Sequence, residues 1–484
     1  MHTSKTLRLC TLILLAAPAT AQSHAGFLPF DFSGDAYVVD TSSDSVMRLR
    51  DLNFDGNFNG TGETSILYSD SAGPIPLGNN SGITVDSTGR LFLSDSTEDS
   101  IFVLHDGNGD GTCYDPGEIV QFFDGDPMVN ASGIDMGSPQ DLTIDLLGNV
   151  YIASASSGTS PDSIIRLQDL NADGDANDAG EASYYYLPPI LGSSSDSLPN
   201  DVFIGQDGAL YYVEGGTTGV YAKAVYRMND NNQDGMIDPA LEVSLFFDPP
   251  AQAGSAFFWS VTQDLAGNFY MADTGNDLIW KFRDTDHDGV VDAATEANIW
   301  WQSPSSSLIW DLTAHSDGSI YAAESQSPDR ILRFFDADSD GVIDPLGEVA
   351  EVYSEDLSAT DIVNPRGIIF ERYPTLSVTA SAPLGSVASI STIATAGDIY
   401  TTYWSTGSMA PLLAAPFGFV EIATGPGHTF GALPTGTMTA AGTKFQVLNV
   451  PSDPLLVGLT FYFQSVVGKP DRFQITRLQP LTLL

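Results

Sequence analysis

Residues 200–247 contain one complete copy of a unit that recurs along the chain. The copy reads NDVFIGQDGA, LYYVE and AVYRM, followed by an acidic loop from Asp230 to Glu242 and then VSLFF. Short runs rich in β-branched and aromatic residues, bounded by Gly, Asp and Ser, are typical of β-strands joined by turns. One unit therefore predicts four strands, with the acidic loop between the third and the fourth.

The acidic loop occurs six times with the pattern D-x-[ND]-x-D-G-x₆-E, and successive copies begin 55, 63, 61, 54 and 52 residues apart. Oxygen-bearing side chains at loop positions 1, 3 and 5 can converge on a hard cation if the chain turns sharply after them. Glycine at position 6 permits that turn. The pattern resembles an EF-hand calcium loop, except that the closing Glu stands at position 13 instead of 12.

Five copies also carry Asn or Asp at position 9, whereas the second copy has Tyr114 there and Asp115 beside it. Each copy predicts one Ca²⁺ site, so we expect up to six ions with a structural role. The alternative is that the loops bridge calcium to an anionic glycan or to another chain. The predicted ligands are Asp51, Asn53, Asp55, Asn59, Glu63, Asp106, Asn108, Asp110, Glu118, Asp169, Asn171, Asp173, Asn177, Glu181, Asp230, Asn232, Asp234, Asp238, Glu242, Asp284, Asp286, Asp288, Asp292, Glu296, Asp336, Asp338, Asp340, Asp344 and Glu348.

Residues 1–21 have the features of a secretory signal peptide. Lys5 and Arg8 precede an apolar run, and Ala19-Thr20-Ala21 forms a small-residue cleavage site. We therefore expect a secreted, extracellular or periplasmic protein that is cleaved near Ala21, with no transmembrane segment. Cys113 is then the one remaining cysteine, so calcium instead of a disulfide is expected to stabilise the chain.

The formal net charge of −44 restricts the partners. It excludes nucleic acid as a natural partner and disfavours anionic membranes. A solvated surface adapted to salt would also explain the excess of acid. Hydrophobic residues make up 42% of the chain, which is enough for large cores and excludes general disorder.

The spacing of the loops matches one four-stranded propeller blade plus a metal loop. The first unit begins directly at its second strand, and PRGIIFER, residues 365–372, has the form of the missing first strand. Pairing the two ends would close the ring and leave no open edge. We therefore predict an all-β fold, in which residues 27–373 form a six-bladed β-propeller closed by splicing its N- and C-terminal strands.

The stretch from Pro199 to Tyr211 and its five counterparts resemble blades of the NHL, SMP-30/gluconolactonase and TolB-like propeller superfamily. The acidic loops are also similar to the calcium hairpins of integrin α-subunit propellers, although here they join the third and fourth strands. The resemblance implies that a gluconolactonase-like enzyme would hold a catalytic divalent metal with Glu, Asn and Asp at the channel mouth. Only Asn200 matches that set.

Residues 374–484 differ in composition from the repeats. Aspartate nearly disappears, and alternating runs such as TLSVTASA and TKFQVLNV indicate a small β-sandwich. The segment resembles the C-terminal modules of large secreted bacterial proteins, which implies a role in attachment to the cell surface. A plain accessory domain is the alternative.

Ligand contacts are expected where each first strand enters the channel, on the face opposite the calcium loops. Gln140, Trp259, Trp310 and Arg366 are candidate ligand-binding residues, with the two tryptophans suited either to stacking a sugar or to plugging the channel. The candidate catalytic residues are Asn200, Asp201, Asp311 and Asp141.

Two functions follow from this sequence. The first is a secreted calcium-binding propeller that serves as an extracellular binding or surface-associated module, with a glycan or another extracellular ligand as its partner. The second is an extracellular hydrolase or lyase, acting on a lactone, an ester or a polysaccharide, with its site at the channel mouth.

Overall fold

The computed structural model describes residues 34–371 except 54, 87, 146, 156–159, 189–196, 216–222, 253, 316 and 359, and beyond residue 374 it describes strands only. The predicted signal peptide lies outside the described residues. All regular elements in the described part are β-strands, and it contains no helix long and apolar enough to cross a membrane.

Six antiparallel sheets of four strands make up residues 34–371, as predicted. The strands are β1 (Ala36–Asp40), β2 (Ser45–Leu49), β3 (Thr64–Ser69), β4 (Asn80–Val85), β5 (Leu91–Asp95), β6 (Ser100–Leu104), β7 (Ile119–Asp124), β8 (Pro139–Ile144), β9 (Val150–Ser154), β10 (Ser163–Leu167), β11 (Ala182–Tyr186), β12 (Pro199–Ile204), β13 (Leu210–Glu214), β14 (Ala224–Met228), β15 (Val243–Phe247), β16 (Phe258–Gln263), β17 (Phe269–Asp273), β18 (Leu278–Phe282), β19 (Ala297–Gln302), β20 (Ile309–Ala314), β21 (Ile320–Glu324), β22 (Arg330–Phe334), β23 (Val349–Ser354) and β24 (Pro365–Phe370).

The first blade confirms the predicted splice. Its sheet order is β24-β1-β2-β3, and β24 pairs antiparallel with β1 through Ala36 opposite Phe370 and Val38 opposite Ile368. The last strand of the repeat region therefore supplies the innermost strand of the first blade. With this strand in place, the first blade has four strands like the other five, and the inner edge of β1 is covered.

The innermost strands of the six blades surround the central channel, and each contacts the innermost strand of the next blade. The hydrophobic core is divided into clusters between neighbouring blades. Trp300 and Trp301 of β19, for example, are buried against Phe334 of β22 in the next blade. Apolar contact between blades, which each blade cannot make alone, is what favours the closed ring.

Beyond residue 374 the backbone forms further strands, β25 to β36, between Thr375 and Leu483. They form a three-stranded sheet, a two-stranded sheet and a larger sheet. The main path of the larger sheet joins β26 (Ser381–Ala382), β36 (Gln479–Leu483), β34 (Thr460–Gly468), β28 (Ile399–Ser405) and β31 (Phe430–Ala432). The strand content agrees with the predicted all-β character of this segment. That the sheets form a separate β-sandwich remains a prediction.

Candidate functional site

The six acidic loops join the third and fourth strands of the blades, as the sequence predicted. The glycine at position 6 has φ between +84° and +103° in all six, a region that L-residues with a Cβ rarely adopt. In every loop the backbone N–H of this glycine donates to the carboxylate of the Asp at position 1. The same turn is therefore built six times by the same residues.

The closing Glu of each loop accepts hydrogen bonds across the loop. One carboxylate oxygen accepts the N–H groups of positions 2 and 3, as Glu63 Oε1 does from Leu52 and Asn53 at 3.0 Å each. The other oxygen accepts an N–H from position 9 or 10, as Glu63 Oε2 does from Gly60 at 2.7 Å. In the fifth loop the hydroxyl and amide groups that donate to Glu296, Thr285 first among them, lower the pKa of that carboxyl to about 2.

Three loops bring carboxylate oxygens within 4.8 Å of one another in groups that could hold a metal ion. Oxygen-only donors of this kind suit a hard cation such as Ca²⁺, so the residues fit the ion that the sequence predicted. Its binding remains a prediction. The groups are Asp51 with Asp55 and Glu63, Asp284 with Asp286 and Glu296, and Asp336 with Asp338 and Glu348.

Two predicted ligands at position 9 face a neighbouring blade. Asn59 Oδ1 accepts the N–H of Ser354 at 2.9 Å, and Asn177 Oδ1 accepts the N–H of Asp124 at 2.9 Å. In the second and third loops the Asn at position 3 donates a hydrogen bond from its Nδ2 to the carboxylate at position 10, which belongs to Asp115 or Asp178. Asp178 is thus a loop residue that the sequence pattern missed.

Position 8 of every loop forms a contact that the sequence analysis also missed, which we call the inter-blade latch. Its buried side chain packs towards the preceding blade, and its N–H donates at 2.7–2.8 Å to a carbonyl in the outermost strand of that blade. Each acceptor lies where strand pairing shifts by one residue, so a β-bulge turns that carbonyl away from its own sheet. The pairs are Phe58 to Val352, Cys113 to Leu67, Ala176 to Phe122, Ile237 to Tyr185, Val291 to Phe246 and Ile343 to Trp300.

Cys113 belongs to this latch, which explains its chemistry. Burial, with a smaller contribution from Asp106, raises the pKa of the thiol to about 12. A thiol that stays protonated at neutral pH is a poor nucleophile. Cys113 is therefore a packing residue.

At the centre of the ring, one position on each innermost strand faces its equivalents in the other blades. Asp141, Asp201 and Asp311 occupy three of these positions and line the channel together. A Cβ added at Gly82 would lie 2.3 Å from Asp141 Oδ1, so this carboxyl needs a glycine beside it. The six positions are Gly82, Asp141, Asp201, Ser260, Asp311 and Gly367.

The central carboxyls also hold blades together. Asp201 accepts the N–H of Val261 at 2.5 Å, and Asp311 accepts the N–H of Ile368 at 2.7 Å, each from the next blade. The Ser260 hydroxyl donates to Asp311 at 2.8 Å. The predicted catalytic carboxyls thus do converge, but two of them already serve as inter-blade acceptors.

Burial raises the pKa of all three carboxyls. The pKa of Asp311 rises to about 7, because of burial first and the charge of Asp201 second. The pKa of Asp141 is well above its ordinary value for the same two reasons, and that of Asp201 is raised by burial. Three carboxyls that cannot all ionise at neutral pH are suited to proton transfer or to neutralisation by a cation.

The predicted ligand-binding residues meet on the face opposite the calcium loops. Gln140, Trp259, Trp310 and Arg366 line a hollow of about 10 Å³ together with Asn200 and the three carboxyls. The Arg366 guanidinium lies 3.4 Å from the centre of the Trp310 ring, and Trp259 packs edge-on against Trp310 at 4.6 Å. These contacts fill the channel mouth, so one ring face of Trp310 is already occupied by Arg366.

The larger cavity, of about 760 Å³, lies on the other side of the carboxyls. It is lined by the ends of the innermost strands and by the turns that follow them, which lie on the same face as the calcium loops. The larger cavity therefore lies on the face of the calcium loops, whereas the ligand contacts predicted from the sequence lie on the opposite face. Ligand binding on the opposite face remains a prediction.

His315 borders this cavity and was given no role by the sequence. Its Nδ1 lies 3.0 Å from Asp317, which also accepts a hydrogen bond from Arg333 at 2.9 Å. Burial opposes ionisation of Asp317, but the neighbouring His315 and Arg333 hold its pKa well below the ordinary value. A buried, charged network therefore flanks the apolar cavity wall.

Comparison with known proteins identifies no family for this chain. No protein-family profile and no curated protein matches the sequence. Similar solved structures include virginiamycin B lyase from Staphylococcus aureus, at 15% identity and a TM-score of 0.44, covering 71% of this chain and 87% of that one. A putative 6-phosphogluconolactonase from Bacteroides uniformis is 14% identical with a TM-score of 0.45, covering 70% and 99%. At these identities and TM-scores, the assignment of six blades rests on the sheet topology of this chain and not on either structure.

Proposed function

We propose that this protein is an extracellular, calcium-stabilised propeller that binds a small ligand in its central cavity. The observation that supports the calcium role is the inter-blade latch. In all six loops the residue at position 8 bonds to the preceding blade, and the acidic positions surround the turn that places it. An ion that orders one loop would therefore also fix one contact between blades.

Each loop gathers several carboxylates, which repel one another when they are ionised. Oxygen ligands at positions 1, 3, 5 and 13 would hold the cation, and the bound charge would relieve that repulsion. The residues of the chain then supply the rest: the glycine turn, the closing Glu and the apolar residue that enters the neighbouring blade. Secretion fits this proposal, because calcium is abundant outside cells.

The central cavity, the larger of the two cavities described above, is the proposed ligand site. Its volume is about 760 Å³, and the three carboxyls whose pKa values are raised form its floor. We also propose glycan binding at the opposite mouth. The glycan would stack on those ring faces of Trp259 and Trp310 that their contact with each other leaves partly exposed. Residues 374–484 are proposed to attach the protein to a surface.

Hydrogen exchange of the purified protein with and without a calcium chelator tests the proposed calcium role. We expect elemental analysis to find several calcium ions per chain. Chelation should increase exchange at the latch amides of all six blades, with little change at the innermost strands. Unchanged exchange at the latch amides after complete removal of calcium would contradict the proposal.

Catalysis is a second candidate, favoured by the raised pKa of Asp141, Asp201 and Asp311. A protonated carboxyl beside an ionised one can act as general acid and base in hydrolysis or elimination. Turnover of lactones, phosphate esters and polyuronates should be compared with binding of the same compounds. Turnover that Asp201→Asn and Asp311→Asn abolish, with calcium-dependent melting unchanged, would establish an enzyme.

A further inference from the structure

The central cavity has apolar walls for most of its depth. Aliphatic side chains from all six innermost strands supply much of the lining, and the aromatic residues among the lining residues are Phe203 and Phe370. Such walls offer little for the many hydroxyl groups of a sugar but bury a hydrocarbon well. The aliphatic lining includes Ile83, Leu142, Ile144, Val202, Leu312 and Ile368.

The entrance to the cavity is also apolar. Leu147 and Leu265, in the turns that follow the innermost strands of the third and fifth blades, line the cavity and are 88% and 59% exposed. Large apolar side chains left in water beside a cavity are typical of a site that a partly apolar molecule enters. In this propeller they extend the apolar wall out to solvent.

The floor has the opposite character. Asp141, Asp201 and Asp311 close the inner end, and no Lys or Arg is found among the described residues that line the cavity. Arg366 lies beyond the floor, stacked on Trp310, and within the described part of the chain no ion pair joins it to the three carboxyls. The floor therefore repels anions and favours a positive group.

A second, independent observation at the floor indicates a missing hydrogen-bond donor. Asn200 is 1% exposed and lines the small hollow that the three carboxyls also line. Its Nδ2 donates to the carbonyl of Phe258 at 2.7 Å, whereas its Oδ1 has no hydrogen-bond partner among the described residues. A buried acceptor without a donor is destabilising, so a bound donor at this place would be favoured.

We propose that the cavity binds a primary aliphatic amine, with the hydrocarbon chain against the apolar walls and the ammonium group at the carboxyl floor. This inference rests on the proposed function, which places the ligand in the central cavity. An ammonium group is about the size of a water molecule, so it can lie among the three carboxyls, on the cavity side of the small hollow that Arg366 lines. It also carries three N–H donors for Asn200 Oδ1 and the carboxylates.

A metal ion is the main rival at the floor, because it would satisfy the same oxygen atoms. A metal ion would not explain the apolar wall of the cavity or the exposed leucines at its entrance. A carboxylate or phosphate ligand is opposed by the charge of the floor. The amine is the one ligand class that accounts for the floor, the walls and the entrance together.

Calorimetric titration of the calcium-saturated protein with octylamine, octanol and octanoate at neutral pH tests the proposal. We expect octylamine to bind at least about tenfold more tightly than either of the other two. Asp141→Asn and Asp201→Asn should each weaken octylamine binding by about tenfold or more, and Leu147→Ser should weaken it by a smaller factor. The side-chain oxygen of Asn can still accept the N–H of Val261, so Asp201→Asn retains the hydrogen bond between the blades.

Asp248→Asn, which removes one charge from an exposed site on the same blade as Asp201, is the matched control and should bind octylamine like the wild type. Octanol or octanoate binding as tightly as octylamine would overturn the inferred amine while leaving the cavity as the ligand site. Failure of all three compounds would contradict both the inference and the proposed cavity. One ion fewer per chain in Asp201→Asn than in the wild type, without octylamine binding, would assign the floor to a metal.

Discussion

The rim of this propeller, formed by the six acidic loops, is regular, whereas its axis, formed by the six central positions of the innermost strands, is not. At the rim, six loops share one turn, one closing Glu and one latch onto the neighbouring blade. At the axis, the six equivalent positions carry three Asp, one Ser and two Gly. The stabilisation from a contact that is repeated in every blade adds up around the ring. A set of unequal side chains can instead recognise one particular ligand. The difference indicates that stability is distributed over the rim and that specificity is concentrated at the axis.

Removal of calcium should have the largest effect, because it acts on all six loops at once. We expect excess chelator to lower the melting temperature by about 10 °C or more. Differential scanning calorimetry with and without chelator, and again after calcium is restored, measures the change. Melting that is unaltered by chelation would mean that the rim does not depend on the ion.

Phe58→Ala should be the next most damaging change, since Phe58 is fully buried and its latch joins the first blade to the last. Loss of a buried aromatic side chain is expected to lower the free energy of unfolding by about 3 kcal/mol or more. Ile66→Ala, on the exposed face of β3, is the control and should cost less than about 1 kcal/mol. Denaturant unfolding in saturating calcium measures both, and equal losses would remove the special role of the latch.

At the axis, stability should fall as pH rises. The pKa of Asp311 is about 7 in the folded protein against 3.8 in the unfolded chain, so the folded state holds the proton more firmly. Its contribution is complete below about pH 4 and is lost as pH rises through about 7.

Asp311→Asn should remove this part of the pH dependence. Between pH 5 and pH 8, in saturating calcium, we expect the stability difference between wild type and variant to change by roughly 2 kcal/mol. Asp248→Asn should keep the wild-type profile. Parallel profiles for wild type and Asp311→Asn would show that this carboxyl does not titrate as inferred.

The smallest expected effect tests a single rim contact. Asn59→Ala removes the acceptor for the N–H of Ser354 and should cost about 1 kcal/mol in urea unfolding. Asn59→Asp keeps an oxygen in the same place and should lose less. The same loss in both variants would contradict the role of Asn59 as an inter-blade acceptor.

The same contrast explains what could be predicted from the sequence. The strands, the loops and the splice were predictable because each repeats a local pattern, and Pro365–Phe370 had only one vacant place in the ring. The latch left a signal that was overlooked: position 8 is apolar in all six loops. The axis was harder, because pairing shifts by one residue just before Asp141, Asp201 and Asp311, and such a shift reverses the side chain's direction. The cavity depends on the distance between six strands, which no local pattern contains.

The splice between β24 and β1 has a consequence for how the molecule is made. A chain that emerges from the ribosome or from an export pore with its N-terminus first exposes the inner edge of β1 until residues 365–370 follow. The N–H of Phe58 likewise has no acceptor until Val352 has been synthesised. A product truncated before residue 365 would keep unpaired strand edges open to aggregation or proteolysis. The pairing of β24 with β1 thus makes a stable fold dependent on synthesis of the whole ring.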